Sequence, residues 1–267
     1  MEWITYIVLG LVAGFIAGLL GVGGGLIIVP VLAFIFAAHH FPEQYVMHLA
    51  LGTTLASIVF TSLSSVRAHH AHAAVNWKVW REISPGIVIG TLLGTVLAAL
   101  LSAHFLKVFF VIFIFYVATQ MLLEIKPKPS RELPGWFGMF AVGNVIGVVS
   151  SLVGIGGGTL SVPFMTWCNV KLHQAIGTSA AIGLPIAVAG AIGYIANGLA
   201  AHDALPAHSL GFVYLPALAA LVASSMLTAP LGARLAHRLP VKKLKKIFVF
   251  LLYALGLRML YSLYAAA

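Results

Sequence analysis

The chain has 267 residues, of which 61% are apolar and 8% are charged, and its formal net charge is +9. A soluble domain carries about 25% charged residues, so this composition excludes a soluble globular protein and a disordered one. It predicts an all-α polytopic membrane protein. The six acidic residues are too few for a catalyst built on paired carboxylates, and an enzyme is not expected.

Ten apolar segments follow one another along the chain, separated by polar or proline-containing breaks. In chain order they are Trp3–Leu20, Leu26–Ala38, Val46–Val66, Ile83–Leu101, Phe105–Leu123, Trp136–Leu152, Leu160–Val170, Ala175–Ala196, Leu210–Leu231 and Leu244–Leu263. Eight of them approach the roughly 20 residues that a helix needs to cross a bilayer. The second and the seventh are short. We therefore expect about ten transmembrane segments, two of them short and broken by glycine.

The two short segments occupy matching places in an internal repeat. The run from Gly21 to Pro30 reads G-V-G-G-G-L-I-I-V-P, and the run from Gly154 to Pro163 reads G-I-G-G-G-T-L-S-V-P. Further along, H-L-A-L-G-T-T begins at His48 and H-Q-A-I-G-T-S begins at His173. This order predicts an N-terminal repeat over 1–126, a cytoplasmic linker over 127–132 and a C-terminal repeat over 133–267. Five segments per half is an odd number, so the second repeat is expected to be inverted.

The basic residues provide an independent indication of orientation. If the segments cross alternately, Lys107 and Arg258 fall on one side, and the other thirteen of the fifteen Lys and Arg fall on the opposite side. Basic loops favour the cytoplasm, so both termini are expected outside. The same rule accounts for the net charge, and no nucleic-acid partner is expected.

The repeated glycine runs predict a binding site. Glycine weakens a helix, and non-helical backbone within a bilayer persists only where protein buries it or where it lines a cavity. Matching breaks in inverted halves indicate the central site of a transporter. A helix that starts at such a break directs its free N–H groups and positive dipole end towards it, so the predicted ligand is a small anion.

Hydroxyl and amide groups could complete this anion site. The G-T-[ST] sequences would supply hydroxyls, and Asn144 lies one turn before Gly147. The predicted substrate-binding residues are Gly21, Gly23, Gly24, Gly25, Pro30, Thr53, Thr54, Asn144, Gly154, Gly156, Gly157, Gly158, Pro163, Thr178 and Ser179.

Two structural interpretations stay open beside this one. The hydroxyls could instead bond carbonyl groups of their own helices, and the glycine runs could only permit close packing. Other glycines are four residues apart, which is the spacing typical of helix packing. These are Gly10, Gly14 and Gly18, then Gly86, Gly90 and Gly94, then Gly143 and Gly147.

Histidines are the remaining candidates for proton coupling, because no acidic residue lies near the centre of a segment. His48 and His173 hold equivalent positions in the two halves, and histidine is the residue type that can exchange a proton near neutral pH; the alternative is that both touch lipid headgroups at helix ends. The sequence His69-His70-Ala71-His72 is interpreted as part of a solvated loop. No metal and no cofactor are expected, and no pattern indicates an oligomeric state.

The doubled G-x-G-G-G-(x)4-P run, each followed by a G-T-[ST] helix, resembles the sulfite exporter TauE/SafE family, the anion permeases of the TSUP type, over almost the whole chain. The resemblance implies a secondary-active transporter of small anions that works by alternating access in the bacterial inner (plasma) membrane. The expected substrate contains sulfur: sulfite, an organosulfonate or a thiosulfate-like anion. An anion channel and a transporter of small carboxylates are the alternatives. The expected partners are a small inorganic or organic anion and membrane lipid.

Overall fold

The computed structural model describes residues 2–20, 24–123, 130–236 and 241–264, and this part of the chain is almost entirely helical. Its α-helices are α1 (Glu2–Leu20), α2 (Gly25–Ala38), α3 (Val46–Ala71), α4 (Trp77–Leu100), α5 (Ala103–Leu122), α6 (Trp136–Val153), α7 (Gly158–Trp167), α8 (Leu172–Gly198), α9 (Leu215–Ala236) and α10 (Val241–Tyr264). Two 3-10 helices cover Glu43–Tyr45 and Leu199–Ala204. The all-α fold predicted from the sequence is confirmed. Two predicted site residues, Gly21 and Gly23, and part of the predicted linker lie outside the described residues.

Seven of these helices are long and apolar enough to cross a membrane, namely α3, α4, α5, α6, α8, α9 and α10. The apolar part of α1 is shorter and covers Trp3–Gly18. The two segments predicted to be short form α2, with 14 residues, and α7, with 10 residues. At about 1.5 Å per residue, neither is as long as the hydrocarbon layer is thick.

Two helix pairs pack closely along glycine faces: α1 lies on α9, and α4 lies on α6. A Cβ atom added at Gly14 would collide with the backbone of Ser225, and one added at Gly90 would collide with the backbone of Asn144. The interpretation of the four-residue glycine spacing as a packing pattern is therefore confirmed for these pairs.

The centre of the molecule is formed by α3 and α8, which pack on each other and are buried over most of their length. The short α2 packs on α3, and the short α7 packs on α8. In addition, α9 packs on α3 while α4 packs on α8. The pairing of α2 with α3 thus has a counterpart in that of α7 with α8, and the pairing of α3 with α9 has one in that of α8 with α4. They place the starts of both short helices beside the two central helices.

A small β-hairpin precedes α9, where the sequence predicts a continuous apolar segment from Leu210. Its strands are β1 (Ser209–Leu210) and β2 (Val213–Tyr214), and they pair antiparallel with Ser209 opposite Tyr214. Gly211 turns the chain with a φ of 52°, a left-handed conformation that glycine adopts readily. The Phe212 N–H then donates to the Tyr194 carbonyl at 3.1 Å. The hairpin thus rests on α8, and the helix starts only at Leu215.

Candidate functional site

The two short helices begin at glycines with almost the same backbone conformation. Gly24 caps α2 with φ 71° and ψ −11°, and Gly157 caps α7 with φ 74° and ψ −6°. Both angles lie in the left-handed region, which costs an L-residue roughly 1–2 kcal/mol and glycine almost nothing. The third and fourth glycines of each run therefore have a definite role, because one turns the chain and the next begins the helix.

The first turn of α7 leaves backbone N–H groups without helical partners. The Gly157 carbonyl accepts hydrogen bonds from Leu160 N at 3.1 Å and from Ser161 N at 2.8 Å. The N–H groups of Gly158 and Thr159 precede these and have no carbonyl one turn earlier in the helix. The positive end of the helix dipole lies at the same place. The start of α7 is thus a source of hydrogen-bond donors for an anion.

The two glycine runs, far apart in sequence, touch each other in the structure. Gly154 ends α6 with φ 70° and ψ 39°. A Cβ atom on Gly25 would collide with the carbonyl group of Gly154 and come within 3.1 Å of Ile155 Cα. On its other side, Gly154 faces the side chains of Val29 and Leu51. The start of α2 therefore lies directly against the break between α6 and α7.

Hydroxyl groups without partners lie around the second break. Within the described part of the chain, the hydroxyl oxygens of Ser150 and Thr159 are buried and have no hydrogen-bond partner. A Cβ on Gly157 would lie 3.6 Å from the Ser150 hydroxyl oxygen. A buried polar group without a partner costs about 1–3 kcal/mol, and such groups are rare in native proteins. Their presence at this break indicates a site that a polar ligand could complete.

A small cavity of about 20 Å³ lies between the second break and α3, and apolar residues of α1, α8 and α9 complete its wall. Its polar wall contains Gly156, the α8 hydroxyl of Ser179, and the α3 hydroxyls of Thr61, Ser62 and Ser65. This volume is sufficient for a water molecule. None of the lining residues carries a charge, so the cavity offers neutral donors only.

One hydrogen bond joins α7 to the wall of this cavity. Ser161 donates to the Ser179 hydroxyl oxygen at 2.9 Å, and both side chains are buried. The matching positions of the first half are Ile28 and Thr54. Thr54 donates to the carbonyl of Ala50 in its own helix at 2.6 Å. The hydroxyls are therefore concentrated at the second break, and Thr54 makes the bond to its own helix that the structural interpretation expected.

Thr53 and Thr178 bond to loops at equivalent places in the two halves. The Thr53 hydroxyl oxygen accepts a hydrogen bond from Tyr214 N at 2.9 Å, and the Thr178 oxygen accepts one from Asn76 N at 2.8 Å. Tyr214 lies between α8 and α9, and Asn76 between α3 and α4. Both threonines thus attach a loop to a central helix about two turns from its start, and neither lines the small cavity.

Three further predicted site residues take different places. Asn144 lies ten residues before Gly154 on α6, about 15 Å along the helix, and its backbone packs on Gly90. It does not line the small cavity. Pro30 and Pro163 are each the sixth residue of their short helix. Because proline lacks an N–H group, each leaves one carbonyl in the first turn without its helical donor.

The two histidines of the repeat lie in different environments. His48 is 3% exposed, and its Nε2 donates to the Ala98 carbonyl at 2.9 Å. Its ring packs against Phe212, with centroids 5.0 Å apart. His173, by contrast, is exposed at the second residue of α8. The repeat therefore buries only one of the pair, and that residue does not line the small cavity.

Six hydroxyl residues near the second break were not singled out from the sequence: Thr61, Ser62, Ser65, Ser150, Thr159 and Ser161. Two signals could have indicated them. Positions 61–65 read T-S-L-S-S within an otherwise apolar helix, and Thr159 and Ser161 replace the apolar residues of the first glycine run.

Comparison with known proteins gives matches over most of the chain. A probable membrane transporter protein of Haemophilus influenzae is 36% identical over 95% of this chain and 96% of its own length. The probable membrane transporter protein YunE of Bacillus subtilis is 26% identical over 98% of both chains. A probable membrane transporter protein of Methanocaldococcus jannaschii is 25% identical over 95% of this chain and 94% of its own. No solved structure matches the chain.

The family comparison agrees with these relatives. The model of the sulfite exporter TauE/SafE family matches residues 6–259, and the relatives are named as membrane transporters. The family match and the seven long apolar helices together identify the chain as an integral membrane protein. The names of its relatives are those of transporters rather than enzymes. The chain belongs to the sulfite exporter TauE/SafE family.

Proposed function

We propose that this protein is a secondary-active transporter of small sulfur-containing anions, and that the anion binds at the second glycine break. One observation carries the proposal: the buried hydroxyls of Ser150 and Thr159, which have no partner among the described residues, lie beside the start of α7. An oxyanion between them would accept hydrogen bonds from these hydroxyls and from the N–H groups of the first helical turn.

Neutral donors suit an anion that must be bound and released. A buried positive charge would hold an anion strongly in a medium of low dielectric constant, whereas hydroxyl and backbone donors supply several weaker bonds. Sulfite and sulfonate groups have three oxygens that can accept such bonds at once. The Ser161–Ser179 bond places further hydroxyls where the site adjoins the small cavity.

The size of the cavity supports a mechanism with alternating states. At about 20 Å³, it accommodates water but not an oxyanion, so the helices around it must separate to admit one. The contact between Gly25 and Gly154 lies where the two predicted repeats would move against each other. We propose that the two inverted halves rock about this contact, with the basic loops in the cytoplasm and the protein in the inner membrane.

Thr159→Val is the direct test, because valine keeps the shape of the side chain and removes the hydroxyl. Removing a buried group that has no partner should leave thermal stability unchanged or raised. Uptake of ³⁵S-labelled sulfite into proteoliposomes should nevertheless fall at least tenfold. Thr91→Val is the matched control, because Thr91 also has a buried hydroxyl without a partner in the described chain but lies at the contact between α4 and α6.

The control should transport at the normal rate. Equal uptake by Thr159→Val and the unaltered protein would contradict the assignment of the anion site. Equal losses of uptake in Thr159→Val and Thr91→Val would show a general effect on folding. Accumulation against a gradient would distinguish a transporter from an anion channel. Competition by small carboxylates in the same vesicles would identify the alternative substrate class.

A further inference from the structure

A second and much larger cavity lies away from the glycine breaks. It measures about 880 Å³, is open to the surface on one side, and is bordered by the ends of α2, α4 and α10, the starts of α3 and α5, and the 3-10 helix Glu43–Tyr45. We call it the α5 cavity. It shares no lining residue with the small cavity. Binding pockets for small molecules have about 300–1,000 Å³, so the α5 cavity has the size of a ligand site.

The main positive charge of this cavity belongs to Lys107, the fifth residue of α5. This residue is half-buried, and its Nζ donates to the Ser262 carbonyl at 3.3 Å. Across the described part of the chain, no carboxylate lies within salt-bridge distance of it. Lys107 lies near the start of α5, where a lysine side chain can reach the polar edge of the membrane, and its ammonium group has two further N–H donors beside the one bonded to Ser262. Lys107 therefore has capacity to bind an acidic group.

The start of α5 adds to this positive region. Ser102 caps the helix by accepting a hydrogen bond from Phe105 N at 3.2 Å, and the dipole of α5 directs its positive end here. His104 also lines the cavity, and Glu43 is the one acidic lining residue. Glu43 attracts the Lys107 ammonium group, but it is exposed, so water screens its charge more strongly than that of the half-buried Lys107.

His48 supplies a hydrogen-bond acceptor to the same cavity. Its Nε2 must be the protonated nitrogen, because it bonds to the carbonyl of Ala98 and a carbonyl can only accept. In the neutral ring, Nδ1 is then an acceptor. This atom has no hydrogen-bond partner among the described residues and is buried just below the wall that His48 contributes to a cavity of ligand size. A ligand that inserts a hydroxyl or N–H group between the side chains of this wall would satisfy it.

The remainder of the wall is mainly apolar. Phe34 of α2, Met47 of α3, Leu101 at the end of α4 and Met259 of α10 all face the cavity. A small inorganic anion would leave this surface in contact with water. The wall thus favours a ligand that has an apolar body in addition to its charge.

We propose that the α5 cavity binds an organic acid that has an apolar body and a hydroxyl or N–H donor. Lys107 pairs with the acid group, the apolar wall covers the body, and His48 Nδ1 accepts from the donor. This binding site is separate from the proposed central site, and it requires binding alone, not transport.

The probe is 4-hydroxybenzenesulfonate, which combines a sulfonate, an aromatic body and a hydroxyl. Titration calorimetry with the full chain in phosphatidylcholine nanodiscs should show saturable binding. Benzenesulfonate, which lacks the donor, phenol, which lacks the acid, and sulfate, which lacks the body, should each bind at least fivefold more weakly. Equal affinity of all four, or no binding of the first at 10 mM, would overturn the proposal.

Variants then assign the two groups. Lys107→Gln should weaken binding of 4-hydroxybenzenesulfonate at least tenfold, and Lys107→Arg should retain it. Lys78→Gln is the control, because Lys78 is exposed at the start of α4 and does not line the cavity. His48→Leu removes the Nδ1 acceptor, so 4-hydroxybenzenesulfonate and benzenesulfonate should then bind equally. His48→Asn can place its amide oxygen near the former Nδ1 position, so it should keep the preference for 4-hydroxybenzenesulfonate. Unchanged affinities in Lys107→Gln or an unchanged ratio in His48→Leu would contradict the assignments.

Two further measurements distinguish the organic acid from a lipid and the α5 cavity from the central site. Adding phosphatidylglycerol to the nanodiscs should leave the affinity within twofold; loss of binding would show that an anionic lipid is the occupant and would overturn the proposal. Thr159→Val should bind the probe normally, since it alters only the proposed central site. Normal binding of the probe together with lost sulfite uptake in that variant supports two separate sites. Loss of both probe binding and sulfite uptake would contradict two separate sites.

Discussion

Gly25, the first residue of α2, lies directly against the carbonyl group of Gly154, the residue that ends α6. This contact joins the two glycine runs, which the sequence separates by more than a hundred residues. It requires glycine at position 25 because no side chain fits between the two backbones. The donor groups at the start of one short helix are thereby held beside the break that precedes the other.

Replacing Gly25 by alanine should destabilise the protein. The added methyl group would meet backbone atoms of Gly154 and Ile155, which cannot rotate away as a side chain could. Overpacking of this kind costs about 1–3 kcal/mol, so the thermal unfolding temperature in detergent should fall by several degrees.

Gly135→Ala is the control for that experiment. Gly135 caps α6, and nothing lies within 4 Å of a Cβ atom added there. The unfolding temperature of this variant should stay within about one degree of that of the unaltered protein. Identical temperatures for the two variants would show that the backbones are not in close contact at Gly25.

Thr178→Val should also lower stability, through a different cause. The Thr178 oxygen accepts the hydrogen bond of Asn76 N, and valine would leave that part-buried N–H group without this acceptor. The expected loss is about 1–3 kcal/mol, measured by thermal unfolding. Thr178→Ser keeps the oxygen and should recover most of the loss. Thr54→Val should cost less, because its hydroxyl bonds only to its own helix; a larger loss there would contradict the distinction.

The glycine positions could be predicted from the sequence because the backbone requires them. A short helix that follows a left-handed residue needs glycine at that residue, as at Gly24 and Gly157. The start of each short helix, and the packing role of glycines four residues apart, follow from such local rules. The same holds for the predominance of helix, which composition and segment length determine.

Other features depend on contacts that no local pattern contains. Thr53 and Thr178 accept hydrogen bonds from loops more than one hundred residues away, so their sequence indicates hydroxyls but not their partners. Likewise, His48 and His173 share a motif, yet only the first is covered, because Phe212 of the hairpin packs on its ring. The small cavity takes hydroxyls from α3 that the repeat does not mark. Tertiary packing determines each of these three features.

Cysteine labelling would test the orientation that the basic loops predict. Cys168 is the one cysteine of the chain, so Cys168→Ser gives a background without thiols. His72→Cys and His202→Cys, made separately, would place a thiol at exposed positions in the loops after α3 and α8. A membrane-impermeant maleimide added to intact cells should label only the variant at position 202. Labelling only at position 72 would reverse the orientation, and labelling at both would contradict the alternating crossings.

A substitution in the wall of the small cavity can show whether a loss of sulfite uptake comes from the binding site or from a loss of stability. A Cβ on Gly183 would lie 3.0 Å from the Ser62 hydroxyl oxygen and 3.2 Å from the Gly156 carbonyl oxygen. Ser62 can rotate to relieve the contact, and alanine favours the helix over glycine by about 1 kcal/mol. Gly183→Ala should therefore change the unfolding temperature little. Because its methyl group enters a cavity of only about 20 Å³, sulfite uptake should fall at least fivefold.

Gly190→Ala is the matched variant, two turns further along the same helix. Its added methyl group would lie 2.7 Å from Leu55 Cδ1, so the end of that side chain must shift, but it would meet no backbone atom, and Gly190 does not line the small cavity. It gives α8 the same gain in helix propensity, so any effect of stiffening this helix should appear in both variants. Uptake that falls in Gly183→Ala alone assigns the loss to the cavity. Equal loss in both would attribute it to α8 as a whole and would count against anion binding beside Gly156.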